Sequence, residues 1–420
     1  MRSISVTAGV VLAVALGIPA ASSTAVTGPA PGSARTAPGV AGTARATAIH
    51  EHPLFAVSCV SPRYCVAVGS DEAADNGHGG PLVQTWNGKT WAAAVVKLPA
   101  GTLGGALFGV SCKSQKSCIA VGDYFLQNDN FPENDNTGTL AESWNGKAWT
   151  LARPPVPVGT TSAALSDVSC VTPAYCIATG AYTRTDGTTV ALAERWNGKV
   201  WVDVPVKLPA GSLGGALFGV SCASAKSCIA VGSYGNAEVE IVALGESWNG
   251  KTWTASQPPA PAGAFAAALQ GVSCVSPTVC IAAGSYTNAA GFPFALAESW
   301  NGKRWTLTPL PKSGGSGGMF AVSCASLKYC LAVGNGGAPG ASRGTPASYV
   351  WNGKSWSFKK VPVPPTGGGD TANSMLQGDQ CLSPTYCAAV GQLDLGSDEQ
   401  FQYGFSGFWN GKTWKPTPTA

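Results

Sequence analysis

One hexapeptide, Trp-Asn-Gly-Lys-x-Trp, recurs seven times along this 420-residue chain and constrains its fold more than any other feature. The seven copies contain every tryptophan: Trp86 and Trp91, Trp144 and Trp149, Trp196 and Trp201, Trp248 and Trp253, Trp300 and Trp305, Trp351 and Trp356, and Trp409 and Trp414. The repeat length is 50 to 58 residues. Units that share a continuous core count as one domain, so the repeat predicts a single array.

A Cys-x5-Cys pair precedes each hexapeptide, and the seven pairs contain every cysteine. Paired, evenly spaced thiols indicate a disulfide framework in an oxidising compartment. We therefore predict one disulfide within each repeat: Cys59–Cys65, Cys112–Cys118, Cys170–Cys176, Cys222–Cys228, Cys274–Cys280, Cys324–Cys330 and Cys381–Cys387. The spacing does not fit a Cys-x2-Cys zinc site.

Each repeat is predicted to form four short strands, here called a to d. In the fourth repeat, the apolar runs that contain Cys222 and Cys228 form strands a and b of a hairpin. Strand c ends at Trp248 and strand d begins near Lys251, with Asn-Gly between them as a type I′ hairpin signal. A two-residue loop would place Trp248 opposite Lys251 and Trp253 opposite Glu246. A type I turn with a bulge would shift this register, and the sequence leaves both open.

Four antiparallel strands at this period are typical of propeller blades, and the sequence predicts an all-β, seven-bladed β-propeller with four-stranded blades. The Cys–Cys and Trp–Trp spacings are constant. The b–c distance varies from 20 to 26 positions and the d–a distance from 19 to 25. The a–b and c–d turns lie on one side of such a disc, the turn face, and the variable b–c and d–a loops on the other, the loop face. Repeat proteins often bind ligands where their insertions gather, so we expect function on the loop face.

The predicted domain limits follow from the repeats. Residues 1–25 have the basic Arg2, an apolar run and small residues of a signal peptide, and 26–50 form an Ala/Thr/Pro/Gly linker. Residues 51–420 form the propeller, with the seam between the last and first blades closed by side-chain packing alone. We expect blades at about 54–97, 107–152, 165–206, 217–257, 269–309, 319–361 and 376–416.

The repeats resemble the kelch and Asp-box, or sialidase-type, propellers over roughly 55–414, and are also similar to secreted actinobacterial proteins with W-N-G-x-x-W repeats. In Asp-box propellers a turn ending in Trp closes the c–d hairpin, as Trp86 to Trp91 does here. The aspartate of the box is replaced by Asn. Sialidases would also require three clustered arginines, a tyrosine nucleophile and an acidic partner, whereas these arginines are scattered. The resemblance therefore implies the fold and not the activity.

Several candidate sites have competing structural interpretations. The tryptophans could stack on sugars, but their regular recurrence favours blade packing. Seven turn lysines could meet an anionic polymer, although Glu142, Glu194, Glu246 and Glu298 are expected to pair with four of them. The loop at 128–136, with Asp129 and Asp135, is a weak calcium candidate and otherwise an exposed loop. The turn lysines are Lys89, Lys147, Lys199, Lys251, Lys303, Lys354 and Lys412.

No catalytic arrangement is recognisable, because the histidines, His50, His52 and His78, lie near the start and in one loop. Residues 51–420 carry 23 basic and 22 acidic residues, so the near-neutral charge argues against nucleic acid as a partner. We expect a monomer that is secreted or associated with the cell envelope, without cofactor or metal and without a membrane anchor after signal cleavage. Its expected role is non-catalytic binding of a cell-surface protein or glycan. The alternatives are a glycan-active hydrolase or lyase with channel carboxylates, and a purely architectural role.

Overall fold

The computed structural model describes residues 52–71, 79–126, 137–238, 240–337, 344–363, 374–394 and 402–420. These residues form seven separate four-stranded antiparallel sheets, each with its strands in sequence order. The innermost strands contact one another in cyclic order, and the first also contacts the last, so the sheets form a closed ring. The predicted seven-bladed propeller is confirmed.

The four strands of each blade take their bounds from the repeat. The innermost a strands are β1 (Leu54–Ser61), β5 (Thr102–Ser114), β9 (Thr160–Thr172), β13 (Gly214–Ser224), β17 (Ala264–Ser276), β21 (Met319–Ser326) and β25 (Met375–Ser383). The b strands are β2 (Tyr64–Asp71), β6 (Ser117–Leu126), β10 (Tyr175–Arg184), β14 (Ser227–Gly235), β18 (Val279–Asn288), β22 (Tyr329–Gly336) and β26 (Tyr386–Asp394). The c strands are β3 (Gly80–Trp86), β7 (Thr137–Trp144), β11 (Thr189–Trp196), β15 (Ile241–Trp248), β19 (Pro293–Trp300), β23 (Thr345–Trp351) and β27 (Gln402–Trp409). The outermost d strands are β4 (Trp91–Val95), β8 (Trp149–Ala152), β12 (Trp201–Asp203), β16 (Trp253–Ser256), β20 (Trp305–Leu307), β24 (Trp356–Lys360) and β28 (Trp414–Thr417). A 3₁₀ turn, Lys312–Gly314, precedes β21.

The apolar core lies between neighbouring blades rather than within one blade. The cluster between blades 3 and 4, for example, joins Ile177 and Ala193 of one blade to Leu217, Val220 and Trp248 of the next. A four-stranded sheet exposes two apolar faces, and radial stacking covers both of them. Each blade therefore depends on its two neighbours for burial.

A ladder of serine hydrogen bonds joins the inner strands around the axis. The serine before the first cysteine of one blade accepts a hydrogen bond from the backbone N–H of the corresponding cysteine in the next blade. Ser221 Oγ, for example, accepts from Cys274 N at 2.9 Å. Six of the seven interfaces have this bond, at 2.8–3.1 Å, through Ser58, Ser111, Ser169, Ser221, Ser273 and Ser323. The bonds show that all blades share one orientation, and blade 7 has Gln380 at this position.

The seam between blades 7 and 1 differs from the prediction that packing alone closes it. Gln84, which is fully buried, donates from Nε2 to the Ala420 carbonyl and accepts from the Ala420 N–H, both at 3.0 Å. Trp91 Nε1 donates to Ser406 Oγ at 3.1 Å, and Tyr386 OH donates to the Pro62 carbonyl at 3.1 Å. Polar contacts therefore tie the last strands to the first blade.

One disulfide closes each a–b hairpin, as predicted. Each joins directly paired residues whose Cα atoms are 3.9–4.0 Å apart. All 14 cysteines are consumed, and none is free.

The c–d turn has four residues, so the predicted type I′ register is wrong. Trp248 pairs directly with Trp253, and Glu246 pairs with Ala255. The Asn249 side chain creates the longer turn, because its Oδ1 accepts hydrogen bonds from the backbone N–H groups of Lys251 and Thr252 at 2.9 and 3.0 Å. This is an Asx turn, with the following Gly250 at φ +94°. The Lys251 side chain is consequently not on the Trp face of the hairpin.

Candidate functional site

A β-bulge on every inner strand places one residue at the wall of the central channel. In blade 4, Leu217 pairs with Gly232 and Gly219 pairs with Val231, which leaves Phe218 without a cross-strand partner. Bulges re-aim side chains and are enriched beside functional sites. The seven bulged residues all line the channel: Phe55, Phe108, Ser166, Phe218, Gln270, Phe320 and Gln377.

The channel contains a cavity of about 710 Å³ that is bounded by all seven inner strands. This volume lies within the range of small-molecule sites, roughly 300–1,000 Å³. Phe55 and Phe108 form an aromatic pair in its wall, with ring centroids 5.5 Å apart. Phe55 and Phe218 are buried, whereas Phe108 and Phe320 are partly exposed to the cavity. Four blades thus contribute aromatic rings to a single space.

Blade 7 supplies a polar wall to the same cavity. Its inner strand carries Gln377, Asp379 and Gln380, and Asp379 stands where the other six blades have valine. Gln377 Nε2 donates to Gln392 Oε1 at 2.8 Å, so these two amides form a connected pair. Blade 7 thus contributes three amides and a carboxyl group to the wall, beside the acid and the amide that blades 3 and 5 provide.

Two acids on the described inner strands border the cavity, Asp167 of blade 3 and Asp379 of blade 7, and the carboxyl oxygens of Asp379 are buried from solvent. Burial raises the pKa of Asp167 to about 7, although backbone N–H groups of Val220 and Val168 donate to its oxygens at 2.8 and 2.7 Å. Burial raises the pKa of Asp379 well above its usual range, and neither of its carboxyl oxygens has a hydrogen-bond partner among the described residues. Both acids are therefore in surroundings that favour the protonated form.

The four strand c glutamates do not pair with the turn lysines, which corrects the prediction. Glu142, Glu194, Glu246 and Glu298 are at most 1% exposed, and their carboxyl oxygens have no hydrogen-bond partner among the described residues. The cause is the register, which pairs Glu246 with Ala255 rather than with Trp253 and leaves the carboxyl group buried. Burial raises the pKa of Glu246 and Glu298 to about 8. Burial, with the nearby Asp203, raises that of Glu194 to about 9. For Glu142, burial opposed by Lys97 raises it to about 7.

The tryptophan pairs pack between blades, with ring centroids 5.3–5.7 Å apart in all seven. The first Trp donates to the a–b turn of its own blade in several repeats, as Trp86 Nε1 does to the Pro62 carbonyl at 3.2 Å. The second reaches the preceding blade, as Trp305 Nε1 does to Ser256 Oγ at 3.1 Å. Both indole rings of a pair therefore take part in packing the propeller.

The described part of the loop face exposes large apolar side chains in neighbouring blades. Six of the nine exposed large hydrophobics in the described residues lie there, from blade 2 to blade 5: Leu126, Val156, Val158, Leu213, Phe265 and Phe292. Phe265 is 71% exposed. Exposed apolar groups on one face mark interaction surfaces when they are contiguous.

Other predicted features are only partly within the described residues. The signal peptide, the linker, His50, His78 and the calcium candidates Asp129 and Asp135 lie outside them. His52 Nε2 lies 3.0 Å from Asp71 Oδ1. Among the described residues, no group of three or more His, Cys, Asp or Glu could hold a metal. The same residues contain no helix of the length and apolarity that a membrane crossing requires.

Sequence reasoning missed the channel wall and the serine ladder. The sequence contains a signal for both. Four positions before the first cysteine, each repeat has Phe, Ser or Gln, and one position before it, six repeats have Ser. The ladder forms only between neighbouring repeats, and the channel wall depends on a bulge in each inner strand. The sequence of a single repeat therefore shows neither feature.

The sequence matches no family model and no curated protein. Among solved structures, the GH74 xyloglucanase from Xanthomonas campestris is similar, with TM-score 0.52 and 15% identity over 88% of this chain and 55% of that one. A structure described as YCF48 bound to D1 peptide has TM-score 0.49 and 14% identity over 83% and 95%. Trypanosoma rangeli sialidase has TM-score 0.46 and 11% identity over 85% and 54%. This chain spans about half of the xyloglucanase and sialidase chains. The xyloglucanase similarity shows a shared propeller fold and leaves activity undecided.

Proposed function

We propose that this chain is a secreted, non-catalytic binding propeller that holds a neutral cell-surface glycan in its central channel. The observation that carries the proposal is the cavity of about 710 Å³ in which aromatic and amide side chains face one space. Sugar rings present apolar C–H faces and many hydroxyls. They are therefore matched by partly exposed rings such as Phe108 and Phe320 beside donors and acceptors such as Gln377.

The loop face is proposed as a further contact surface for the glycan. Its support is the exposed apolar side chains of blades 2 to 5, above all Phe265 at 71% exposure. Ligand sites combine apolar walls with placed polar groups, and the cavity has both in its phenylalanine rings and its amide groups. Export is supported by the seven disulfides, which form and persist in oxidising compartments.

The test is a glycan array probed with the labelled propeller, followed by titration of the glycans that bind. We expect neutral oligosaccharides to bind, and the double variant F108A/F320A to lose affinity at least tenfold. Each lost aromatic contact is worth on the order of 1 kcal/mol. S247A is the matched control, because Ser247 is an outer-strand residue that is not in the cavity wall.

Two results would refute this proposal. In the first, no neutral glycan on the array binds, whereas an extracellular protein binds and the F265A variant abolishes that binding. That outcome would replace the glycan by a protein partner on the loop face. The other is equal loss of affinity in F108A/F320A and S247A, which would show that the channel does not hold the ligand.

A glycan-active hydrolase or lyase is the second candidate, favoured by the raised pKa values of Asp167 and Asp379 in the channel. A protonated carboxyl at neutral pH is what general acid catalysis of glycosidic cleavage requires. However, both Asp167 oxygens accept backbone hydrogen bonds, which favours a structural role for that side chain. Release of reducing ends from an array-positive polysaccharide, abolished by D379N, would establish the enzyme instead.

A further inference from the structure

We propose that the turn face is a second binding surface, and that it binds an anionic polysaccharide. The turn face is formed by fourteen hairpin turns, the a–b and c–d turns of each blade. The b–c and d–a loops lie at the other end of the strands. None of the lysines and arginines of these turns lines the channel cavity.

Charge is strongly segregated onto this face. Residues 51–420 contain 23 lysines and arginines, that is, the chain's 26 less Arg2, Arg35 and Arg45, and 22 acids. The fourteen turns hold twelve of those cations and none of the acids. The connections from strand b to strand c, in contrast, contain ten acids and one arginine. The chain is nearly neutral overall, but its turn face is basic, which the net charge of the chain does not reveal.

An outer ring of seven lysines is held in register by the turns themselves. Lys89, Lys147, Lys199, Lys251, Lys303, Lys354 and Lys412 are all exposed. The backbone N–H of each donates to the Oδ1 of the preceding Asn at 2.9–3.0 Å, so the seven Cα positions are fixed alike. Among the described residues, no carboxylate lies within 4.0 Å of these ammonium groups. The glutamates that could have neutralised them are buried in the blade interfaces instead.

A second set of cations lies beside this ring in the a–b turns. Its members, Arg63, Lys116, Lys226 and Lys328, are exposed. Their aliphatic stems pack under the turn glycine of the same blade: a Cβ at Gly250 would lie 3.1 Å from Lys226 Cγ. The stem is therefore held by packing while the charged end stays in water. Arg304, in the c–d turn of blade 5, completes the twelve.

Polysaccharide is favoured over other polyanions by two features. Ten of the twelve cations are lysines, which act as point charges and do not require the paired geometry that arginine gives to phosphate recognition. The chain's 14 disulfide-bonded cysteines fit an oxidising, extracellular setting, and this choice of ligand therefore rests on the export included in the proposed function. Carboxylated and sulfated polymers share the required chemistry.

The test titrates the full propeller with dextran sulfate and with polygalacturonate at 50 and 200 mM salt, with unmodified dextran as the neutral control. The variant K251Q/K303Q/K354Q removes three neighbouring ring charges, and K207Q/K312Q/K360Q removes three exposed charges outside the turns. We expect the wild type to bind at least one polyanion. The ring triple variant should lose roughly tenfold or more in affinity at 50 mM salt, because it removes three exposed positive charges from the surface that meets the polyanion. Its log–log salt slope should fall by about 2, because each released counterion contributes about 0.7–0.9.

Three outcomes would overturn this inference. The first is that neither polyanion binds at 50 mM salt, or that both triple variants lose affinity equally. The second is that duplex DNA of the same charge binds more tightly than both polysaccharides, which would contradict the extracellular ligand. The third is salt-sensitive self-association in light scattering that the ring triple variant abolishes and polysaccharide does not displace. Failure of these arms leaves the channel titration unaffected, because Phe108 and Phe320 are not in the turns.

Discussion

Replacing the buried Glu246 by glutamine is expected to stabilise the propeller at pH 8 and to have little effect at pH 5. Glu246 is 1% exposed, and neither carboxyl oxygen has a hydrogen-bond partner among the described residues. Glutamine fits this position, because Gln84 occupies the equivalent site in blade 1. A neutral isostere removes the cost of ionisation without changing the volume of the side chain.

The magnitude follows from the pKa of Glu246, which burial raises from 4.5 to about 8. The folded state therefore holds the proton more tightly than the unfolded state. The stability that this proton contributes is complete below pH 4.5 and is lost as the pH rises through about 8. One pKa unit corresponds to about 1.4 kcal/mol, so the wild type loses about 3–4 kcal/mol between pH 5 and pH 8 from this group alone. E246Q should avoid that loss.

The assay is denaturant unfolding of the oxidised protein at pH 5, 6.5 and 8, with the wild type and each variant compared at the same pH. E298Q should repeat the result, because burial raises the pKa of Glu298 to about 8 as well. E238Q removes the same charge from an exposed loop and should leave the pH dependence unchanged. An E246Q variant that gains no stability at pH 8 relative to pH 5 would refute the burial of an unpaired carboxyl group.

Three further predictions concern the frame. S221A should lower the free energy of unfolding by about 1–3 kcal/mol in denaturant melts, because the Cys274 N–H loses its acceptor. An equal value for S247A, whose hydroxyl donates an exposed hydrogen bond to Thr254, would contradict the ladder. Replacing Cys222 and Cys228 together by alanine should cost about 2 kcal/mol, the entropy of one short loop, and an unchanged melting midpoint would show that the bridge is dispensable. G250A should lower the free energy of unfolding by about 1–2 kcal/mol, because residue 250 has φ +94° and the Lys226 side chain lies beneath it. G263A is the control for crowding, because residue 263 has φ +77° but open space around it, so this variant measures backbone strain alone.

The fold could be predicted from the sequence because its determinants are local and repeated. The cysteine pairs belong to single hairpins, and the seven hexapeptides number the blades. The register of the c–d turn could not be read as securely, because the Asn249 side chain takes the place of a backbone acceptor and lengthens the turn. That change moved Glu246 from a position beside the lysine to the interface between two blades.

The candidate sites were harder to predict, because they arise between repeats. Phe108 reaches the channel through a bulge, and Asp379 matters because six other blades have valine at its position. The turn lysines were visible in the sequence, but whether they were neutralised depended on where the glutamates point. The sequence therefore identified the charged residues, but only the packing showed which of them are exposed to solvent.

The most direct test of the functional account is calorimetric titration of an array-selected neutral glycan into the wild type, F108A/F320A and F265A. We predict that F108A/F320A binds at least tenfold more weakly and that F265A changes affinity less, because Phe108 and Phe320 line the cavity and Phe265 is exposed on the loop face outside the cavity wall. Wild-type affinity in F108A/F320A, together with lost binding in F265A, would contradict the channel as the ligand site.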